Sequence, residues 1–334
     1  MARLNKVVVT ARAFGSTLSK LERVAKTVVC NPHVRPWNAE ELCDSLHGAD
    51  AALCFMTDRV DEALLQASPH LKLIACALKG YDNFDLAACK SRGVAVTAVP
   101  DLLTAPTAEL AVALTLGLGR HVLAGDRQVR SGDFNGWRPI LYGTGLAGST
   151  VGLLGFGAVG RATAARLGGF GVERILFADP HASAREEEEG TAVRASGGVD
   201  ELLRECDILI VCAPLNSSTH HLINRERLLG GGTKRGLLLV NISRGSCVDE
   251  SAVADALDAG TLGGYAADVF ELEDWALADR PRSIDKRLLA DGARTLFTPH
   301  LGSAVSAVRE RIEHAAAEEI ERFASGEDLA YAVA

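Results

Sequence analysis

Several absences narrow the class of this chain. No apolar run approaches the roughly 18 to 20 residues that span a bilayer. The first residues, Met1 to Thr10, offer only a short apolar run with no cleavage signature. That is too short for a secretory h-region, so the segment reads as a first strand and the protein as cytoplasmic. Positive charge is in deficit: 35 Lys and Arg against 43 Asp and Glu leave −8. A chain of that sign lacks the general electrostatic footprint for nucleic acid, although a few local cations suffice for a small anion. The eight cysteines form no CxxC pair. Cys76 and Cys212 sit in apolar stretches, so these residues read as small buried hydrophobes in a reducing compartment. HExxH is missing, and His220-His221 has no third ligand clustered near it, so no metal is expected. Repeats, long linkers and low-complexity segments are also missing. Glu186–Glu189, the one charge run, reads as a solvated helix face.

What is present is an alternating pattern over 334 residues, enough for two domains. Apolar residues make up 48% and charged residues 23%, the mix of a globular chain with a large core. Candidate strands are 6–10, 71–77, 94–98, 150–154, 175–178, 208–212, 237–241, 264–268 and 295–298. Amphipathic stretches such as 108–131, 159–170 and 251–259 lie between them. Continuous apolar strands separated by helices imply parallel sheets covered on both faces. The pattern predicts an α/β protein of two doubly wound parallel-sheet domains with a cleft between them. The first domain is expected to combine 1–102 with 300–334, and 103–299 to be inserted as the second. Domains of this kind close over a ligand, with hinges expected near Leu103 and Pro299.

Thr150-Val-Gly-Leu-Leu-Gly155-Phe-Gly157-Ala158-Val159-Gly160 is a strand, a glycine turn and a helix start. In that context Gly155 permits the tight turn, Gly157 admits a pyrophosphate and Gly160 lets helix and strand pack closely. The phosphates would meet N–H groups near Ala158 and Val159. Asp179, before Pro180, comes about 20 residues later, where an acid binds the adenosine ribose. It would repel a 2′-phosphate, so the expected cofactor is NAD. A glycine turn serving only packing is the bland alternative.

Three later segments carry candidate chemistry: Asn241-Ile-Ser243-Arg244-Gly, Asp268-Val-Phe-Glu-Leu-Glu273 and Thr298-Pro-His300-Leu-Gly302. Each follows an apolar strand, at the edge where α/β proteins bind ligands. Arginine offers a fixed fork for an oxyanion. A histidine beside a carboxylate is held in one tautomer for acid/base work. Singly, Arg244 could be a surface ion pair, Glu273 a solvated acid and His300 a core or capping residue. Together with Gly155-x-Gly157-x-x-Gly160, these segments resemble the D-2-hydroxyacid dehydrogenase family over essentially the whole chain. The resemblance implies Rossmann-like domains, substrate binding by Arg244 and acid/base catalysis by His300 paired with Glu273. It places Thr107 and Asp268 near the nicotinamide and Pro214, after Ala213, on the adenosine side. Pro180, Ser243, His300 and Gly302 are also expected to line the cofactor. Asp268 could equally be a strand-end cap and Pro214 a strand terminator. The same resemblance implies a homodimer through the cofactor domain. Asp274-Trp275 departs from that family, which usually has proline there.

A narrower resemblance, to the phosphite-oxidising (phosphonate) dehydrogenases of that family, rests on longer stretches. These are the runs from Cys76 through Lys79 and Gly80 to Asp85, from Val99 to Leu110, Gly136-Trp137-Arg-Pro with Leu141-Tyr142-Gly-Thr-Gly, from Glu271 to Arg282, and from His300 to Arg309. Phosphite is a compact tetrahedral anion and needs concentrated positive charge with little apolar volume. Lys79, Arg244 and Arg309 could supply the charge, with Gly80 beside Lys79 and Met56 as an apolar wall. Trp137 and Tyr142 would shape the pocket, across a dimer interface, or pack in the core. Lys79 could instead be a surface lysine, Arg309 a helix-surface ion pair and Met56 plain core. The expected reaction transfers hydride from P–H to NAD while water attacks phosphorus, with His300 the favoured base. A dehydrogenase for a small 2-hydroxy carboxylate is the first alternative. An NAD-sensing regulatory protein on the same scaffold is the second.

Overall fold

The computed structural model describes residues 3–182, 185–188 and 191–334. The chain divides into two compact units: 1–103 with 275–278 and 304–334, and 104–274 with 279–303.

The first unit begins with β1 (Leu4–Val9), α1 (Gly15–Val24), β2 (Ala25–Cys30), α2 (Ala39–Leu46) and β3 (Ala51–Cys54). It continues with α3 (Glu62–Ala67), β4 (Leu73–Cys76), α4 (Leu86–Ser91) and β5 (Ala95–Thr97). The sheet order is β2-β1-β3-β4-β5, all parallel. Val7 and Val9 pack with Leu21 on one face, and Val8 packs with Leu42, Leu46 and Leu64 on the other. With both faces covered, the strand must be apolar at every position rather than at alternate ones. Each fully buried Val or Leu contributes about 1.5–3 kcal/mol.

The second unit holds α5 (Thr104–Gly119), α6 (Val122–Arg130), β6 (Thr150–Leu154), α7 (Ala158–Gly168) and β7 (Arg174–Ala178). Next come β8 (Arg185–Glu188), β9 (Thr191–Ala195), α8 (Val199–Glu205), β10 (Ile208–Val211), α9 (Arg225–Leu229) and β11 (Leu237–Asn241). The unit ends with α10 (Glu250–Asp258), β12 (Leu262–Ala267), α11 (Lys286–Ala290) and β13 (Thr295–Phe297). Its sheet order is β13-β12-β11-β10-β6-β7-β9-β8, parallel except for β8 against β9. Ile208 and Ile210 face one core cluster, Leu209 and Val211 the other. The chain then returns to the first unit as α12 (Ser306–Ser325), whose Ile312 and Ile320 join the cluster of Val7 and Val9. No helix among the described residues is long and apolar enough to cross a membrane.

The structure corrects several local expectations. Glu186–Glu188 lie in β8, so they do not form a helix face; Glu189 lies outside the described residues. Antiparallel pairing with β9 supplies the backbone partners there. The helical stretch 108–131 is two helices, broken where His121 takes a φ of 51°. The Gly119 carbonyl accepts Thr144 N–H at 2.8 Å, and that crossing strand of backbone ends α5. Four strands escape the apolar pattern: β2, with exposed Lys26 and Thr27 on a sheet edge, β3, only four residues with two alanines, and the antiparallel pair β8 and β9. The eight cysteines are free, and Cys54, Cys76, Cys89, Cys206 and Cys247 are buried.

Asp58 is a buried carboxylate in the turn after β3, 3% exposed. It accepts Phe55 N–H at 2.6 Å and the Thr10 hydroxyl. Burial pushes its pKa from 3.8 up to about 6, because desolvation penalises the charged form. A folded-state value above the unfolded one means that the contribution of Asp58 to stability is most favourable below pH 3.8 and is lost as pH rises through about 6. The penalty above pH 6 is about 3 kcal/mol at most, at 1.36 kcal/mol per pKa unit. Asp58→Asn keeps an acceptor and abolishes the titration. Measured by urea unfolding, it should gain stability relative to the parent between pH 4 and pH 7.5. An equal difference at both pH values would rule this out.

Candidate active site

In both units most of the candidate groups follow the carboxyl ends of parallel strands, the edge where open α/β sheets bind ligands; Thr107, Trp137, Tyr142 and Arg309 do not. In the second unit the order reverses between β6 and β10, and the glycine loop sits there. Gly155 has a φ of 96°, and a Cβ on it would lie 2.7 Å from Ala213 N, so no other residue fits. A Cβ on Gly160 would lie 2.4 Å from the Gly155 carbonyl oxygen. A Cβ on Gly157, by contrast, would meet nothing within 4 Å. Gly157 is the N-cap of α7 and makes no side-chain cap, so the first N–H groups of the helix, at Ala158 and Val159, are left for a ligand. Open space over these donors fits a pyrophosphate.

Asp179 follows β7. Its carboxylate accepts Phe156 N–H at 2.7 Å and His181 N–H at 2.8 Å, which holds it over the glycine turn. Each oxygen retains a lone pair for a ribose hydroxyl. Pro180 beside it is exposed. Pro214, after β10, accepts the Thr219 hydroxyl through its carbonyl at 2.6 Å. The candidate dinucleotide groups therefore sit at the ends of three neighbouring strands, β7, β6 and β10.

The next three strand ends carry Arg244, Glu273 and His300. Asn241, fully buried, donates to the Arg244 carbonyl at 2.9 Å and accepts from Ser243 N–H at 3.1 Å. The Arg244 guanidinium donates to the Ser243 carbonyl at 2.9 Å. Gly245 follows because a Cβ there would lie 1.8 Å from the Phe270 carbonyl carbon.

His300 has a φ of 56°, a left-handed conformation that costs a non-glycine residue roughly 1–2 kcal/mol. Asp268, 2% exposed, holds it there. Its Oδ1 accepts the Thr298 hydroxyl and Leu301 N–H, both at 2.6 Å, and Oδ2 accepts Gly302 N–H at 2.8 Å. Burial raises the Asp268 pKa, opposed by these hydrogen bonds. Asp268 thus acts as the cap of the turn that carries His300. A Cβ on Gly302 would sit 3.3 Å from both Asp268 Oδ2 and the Thr107 hydroxyl, which places Thr107 of α5 against this turn.

The His300 Nδ1 lies 2.7 Å from Glu273 Oε2, both side chains being 28% exposed. Glu273 Oε1 accepts Phe270 N–H at 2.8 Å. The carboxylate is thereby aimed, and the imidazole keeps Nε2 for a second partner.

In the first unit Met56 lies in the turn after β3, partly buried against the cluster of Val8 and Leu64. Lys79 and Gly80 follow β4. Lys79 pairs with Asp101 at 2.8 Å, and the two side chains are 45% and 48% exposed. Arg309 of α12 stacks its guanidinium 5.8 Å from the Phe55 ring and donates to the Ala77 carbonyl at 3.4 Å. Burial lowers its pKa.

Trp137 and Tyr142 are 82% and 76% exposed, so neither packs in the core. They belong to a stretch with exposed Val122, Leu123, Val129, Phe134, Ile140 and Leu141.

Sequence reasoning missed the acids behind the site. Glu271 and Glu250 exchange hydrogen bonds, each accepting the other's N–H at 2.8–2.9 Å. His221 Nε2 meets Glu271 Oε2 at 2.7 Å, which raises the histidine's pKa. The acid-rich spacing Glu271-Leu-Glu273-Asp274 was the available signal.

A dinucleotide loop feeding an arginine and a carboxylate–histidine pair defines an NAD-dependent oxidoreductase. Residues 112–302 match the family described as D-isomer specific 2-hydroxyacid dehydrogenase, NAD binding domain, and the chain belongs to that family. It is 36% identical over 294 residues to a glyoxylate reductase of Pyrococcus horikoshii, covering 86% of this chain and 84% of that protein. Its fold is similar to that of the TT0316 protein from Thermus thermophilus, with a TM-score of 0.85 and 33% identity over 98% of this chain and 100% of that one. A D-lactate dehydrogenase from Aquifex aeolicus, solved with NAD and lactic acid, matches at a TM-score of 0.81 and 26% identity, over 98% and 99% of the two chains.

Proposed function

We propose that this NAD-dependent dehydrogenase oxidises phosphite to phosphate. The observation that carries the catalytic part is the 2.7 Å pair of Glu273 with His300 on its clamped turn, at the two strand ends that follow the one bearing Arg244. NAD⁺, when bound, accepts the hydride. Arg244 binds the substrate oxyanion and stabilises the charge that develops at phosphorus. His300 Nε2 takes a proton from water as the water oxygen bonds to phosphorus and the P–H bond breaks, its electron pair leaving with the hydrogen. Glu273 holds the ring through Nδ1 and stabilises the imidazolium so formed. The substrate choice rests on Lys79, Met56 and Arg309 of the first unit, taken as substrate-binding groups, because a tailless anion needs cations more than apolar volume. Gly155, Gly157, Ala158, Val159, Gly160, Asp179, Pro180, Ala213 and Pro214 are the proposed dinucleotide contacts, with Thr107, Ser243, Asp268 and Gly302 toward the nicotinamide.

A second reading is favoured by the glyoxylate reductase and D-lactate dehydrogenase relatives: exchange of hydride with a small 2-hydroxy or 2-oxo carboxylate through the same residues. The exposed apolar side chains of 122–142 support a homodimer in which a second copy covers Trp137 and Tyr142.

NADH formation with phosphite and NAD⁺, phosphate release in the same tubes, and glyoxylate reduction by NADH separate the two readings. Equal yields of NADH and phosphate are expected, with His300→Asn and Arg244→Ala each lowering kcat/KM at least 100-fold, about 2.7 kcal/mol or more. Lys79→Ala is expected to lower it at least tenfold. Glyoxylate turnover without phosphite turnover would sink the phosphite reading and leave the second. Asp179→Ala should shift the NAD to NADP ratio of kcat/KM toward NADP by about tenfold or more; an unchanged ratio would remove Asp179 from the ribose site. Light scattering should give twice the mass of the chain, and a monomer mass would refute the dimer.

A further inference from the structure

Each acid of the Glu271–Glu273 turn and its neighbour holds a different segment of the second unit. Glu271 takes Glu250 N–H and His221, and Glu273 takes Phe270 N–H and His300. Asp274, 2% exposed, accepts the buried N–H of Ser246 through Oδ2 at 2.7 Å. Ser246 lies two residues after Arg244, in the tight Gly245–Cys247 turn. That turn is pressed against Phe270 and Glu271, where only a glycine at 245 leaves room. Steric contact sets how near the two loops can come. The hydrogen bond from Ser246 N–H to the Asp274 side chain joins them at that distance.

We infer that Asp274 is a positioning residue that ties the loop bearing Arg244 to the turn bearing Glu273. It thereby fixes the guanidinium relative to the Glu273–His300 pair. The role rests on the reading in which Arg244 binds the substrate anion and His300 is the base. A buried N–H needs an acceptor, and an amide side chain still offers one. Loss of the acceptor frees the Arg244 loop while leaving the glycine loop over β6 untouched, so anion binding suffers and NAD binding does not.

The test compares Asp274→Ala with Asp274→Asn in the full-length protein. Amide hydrogen exchange of a peptide spanning 244–248 should quicken at least tenfold in Asp274→Ala and return to within threefold of the parent in Asp274→Asn. Exchange at the parent rate in Asp274→Ala would overturn the proposal, whatever the substrate proves to be. Kinetics are then read with whichever of phosphite or glyoxylate the parent turns over. KM for that anion should rise at least tenfold in Asp274→Ala, with KM for the nucleotide within twofold and rescue by Asp274→Asn. A fall in kcat with both KM values unchanged would overturn the positioning role. Turnover of neither anion by the parent would sink the substrate reading, and the exchange result would still decide the role of Asp274. If Asp274→Ala fails to fold, exchange and KM in Asp274→Ser, which shortens the reach of the acceptor, decide in its place: parent values there overturn the proposal.

Discussion

The Asp268 carboxylate receives three donors from the segment Thr298–Gly302, and the geometry at His300 depends on it. A histidine in left-handed backbone is disfavoured by roughly 1–2 kcal/mol. Three charge-assisted hydrogen bonds to a buried acid, each worth about 1.5–3 kcal/mol, offset that cost. The reward is direction: the ring presents Nδ1 to Glu273 and leaves Nε2 for chemistry. Burial of Asp268 is itself unfavourable to its charge, so the donors and the acid require one another.

The clamp can act only because of where the sheet puts it. In each unit, strands covered on both faces have side chains committed to the core along their whole length. Chemistry is left to the residues just beyond the strand ends. Asp179, Ala213, Arg244, Asp268 and His300 all follow strands of one sheet, at the same edge, so five loops from distant parts of the sequence become neighbours. Around the glycine loop the sterics are unforgiving. Gly155 touches the β10 end and Gly160 touches Gly155, while Gly157 alone faces open space. The same residue type is therefore required by sterics at two positions and leaves open space at the third.

A chain of net charge −8 places its cations with care. Arg309 is half-buried against an aromatic face, Lys79 is paired with Asp101, and Arg244 is held by its own loop. Acids outnumber bases, yet many of the acids near the site are structural. Glu250, Glu271, Asp268 and Asp274 accept backbone N–H groups and so determine loop positions. Glu250 illustrates the cost, its pKa pushed up to about 7 by burial.

How much was legible follows from the range of each interaction. The glycine spacing after an apolar strand, the acid at Asp179 and the strands 150–154 and 237–241 could be read directly, because local sterics and two-sided burial write themselves into adjacent residues. The order β13-β12-β11-β10-β6-β7 was legible only as a class, through the alternation of strand and helix. The edge strands β2 and β8 were not, because an edge need not be apolar and takes its identity from a neighbour. The break at His121 was hidden for the same reason, since its cause is Thr144, more than twenty residues away. Arg244, Glu273 and His300 could be picked out as residue types at strand ends. That Glu273 pairs with His300 came from the family resemblance; which acid holds the histidine's turn and which one ties down the arginine's loop could not be read. Glu271, Glu273 and Asp274 are nearly interchangeable in sequence, and only folding gives each a different partner.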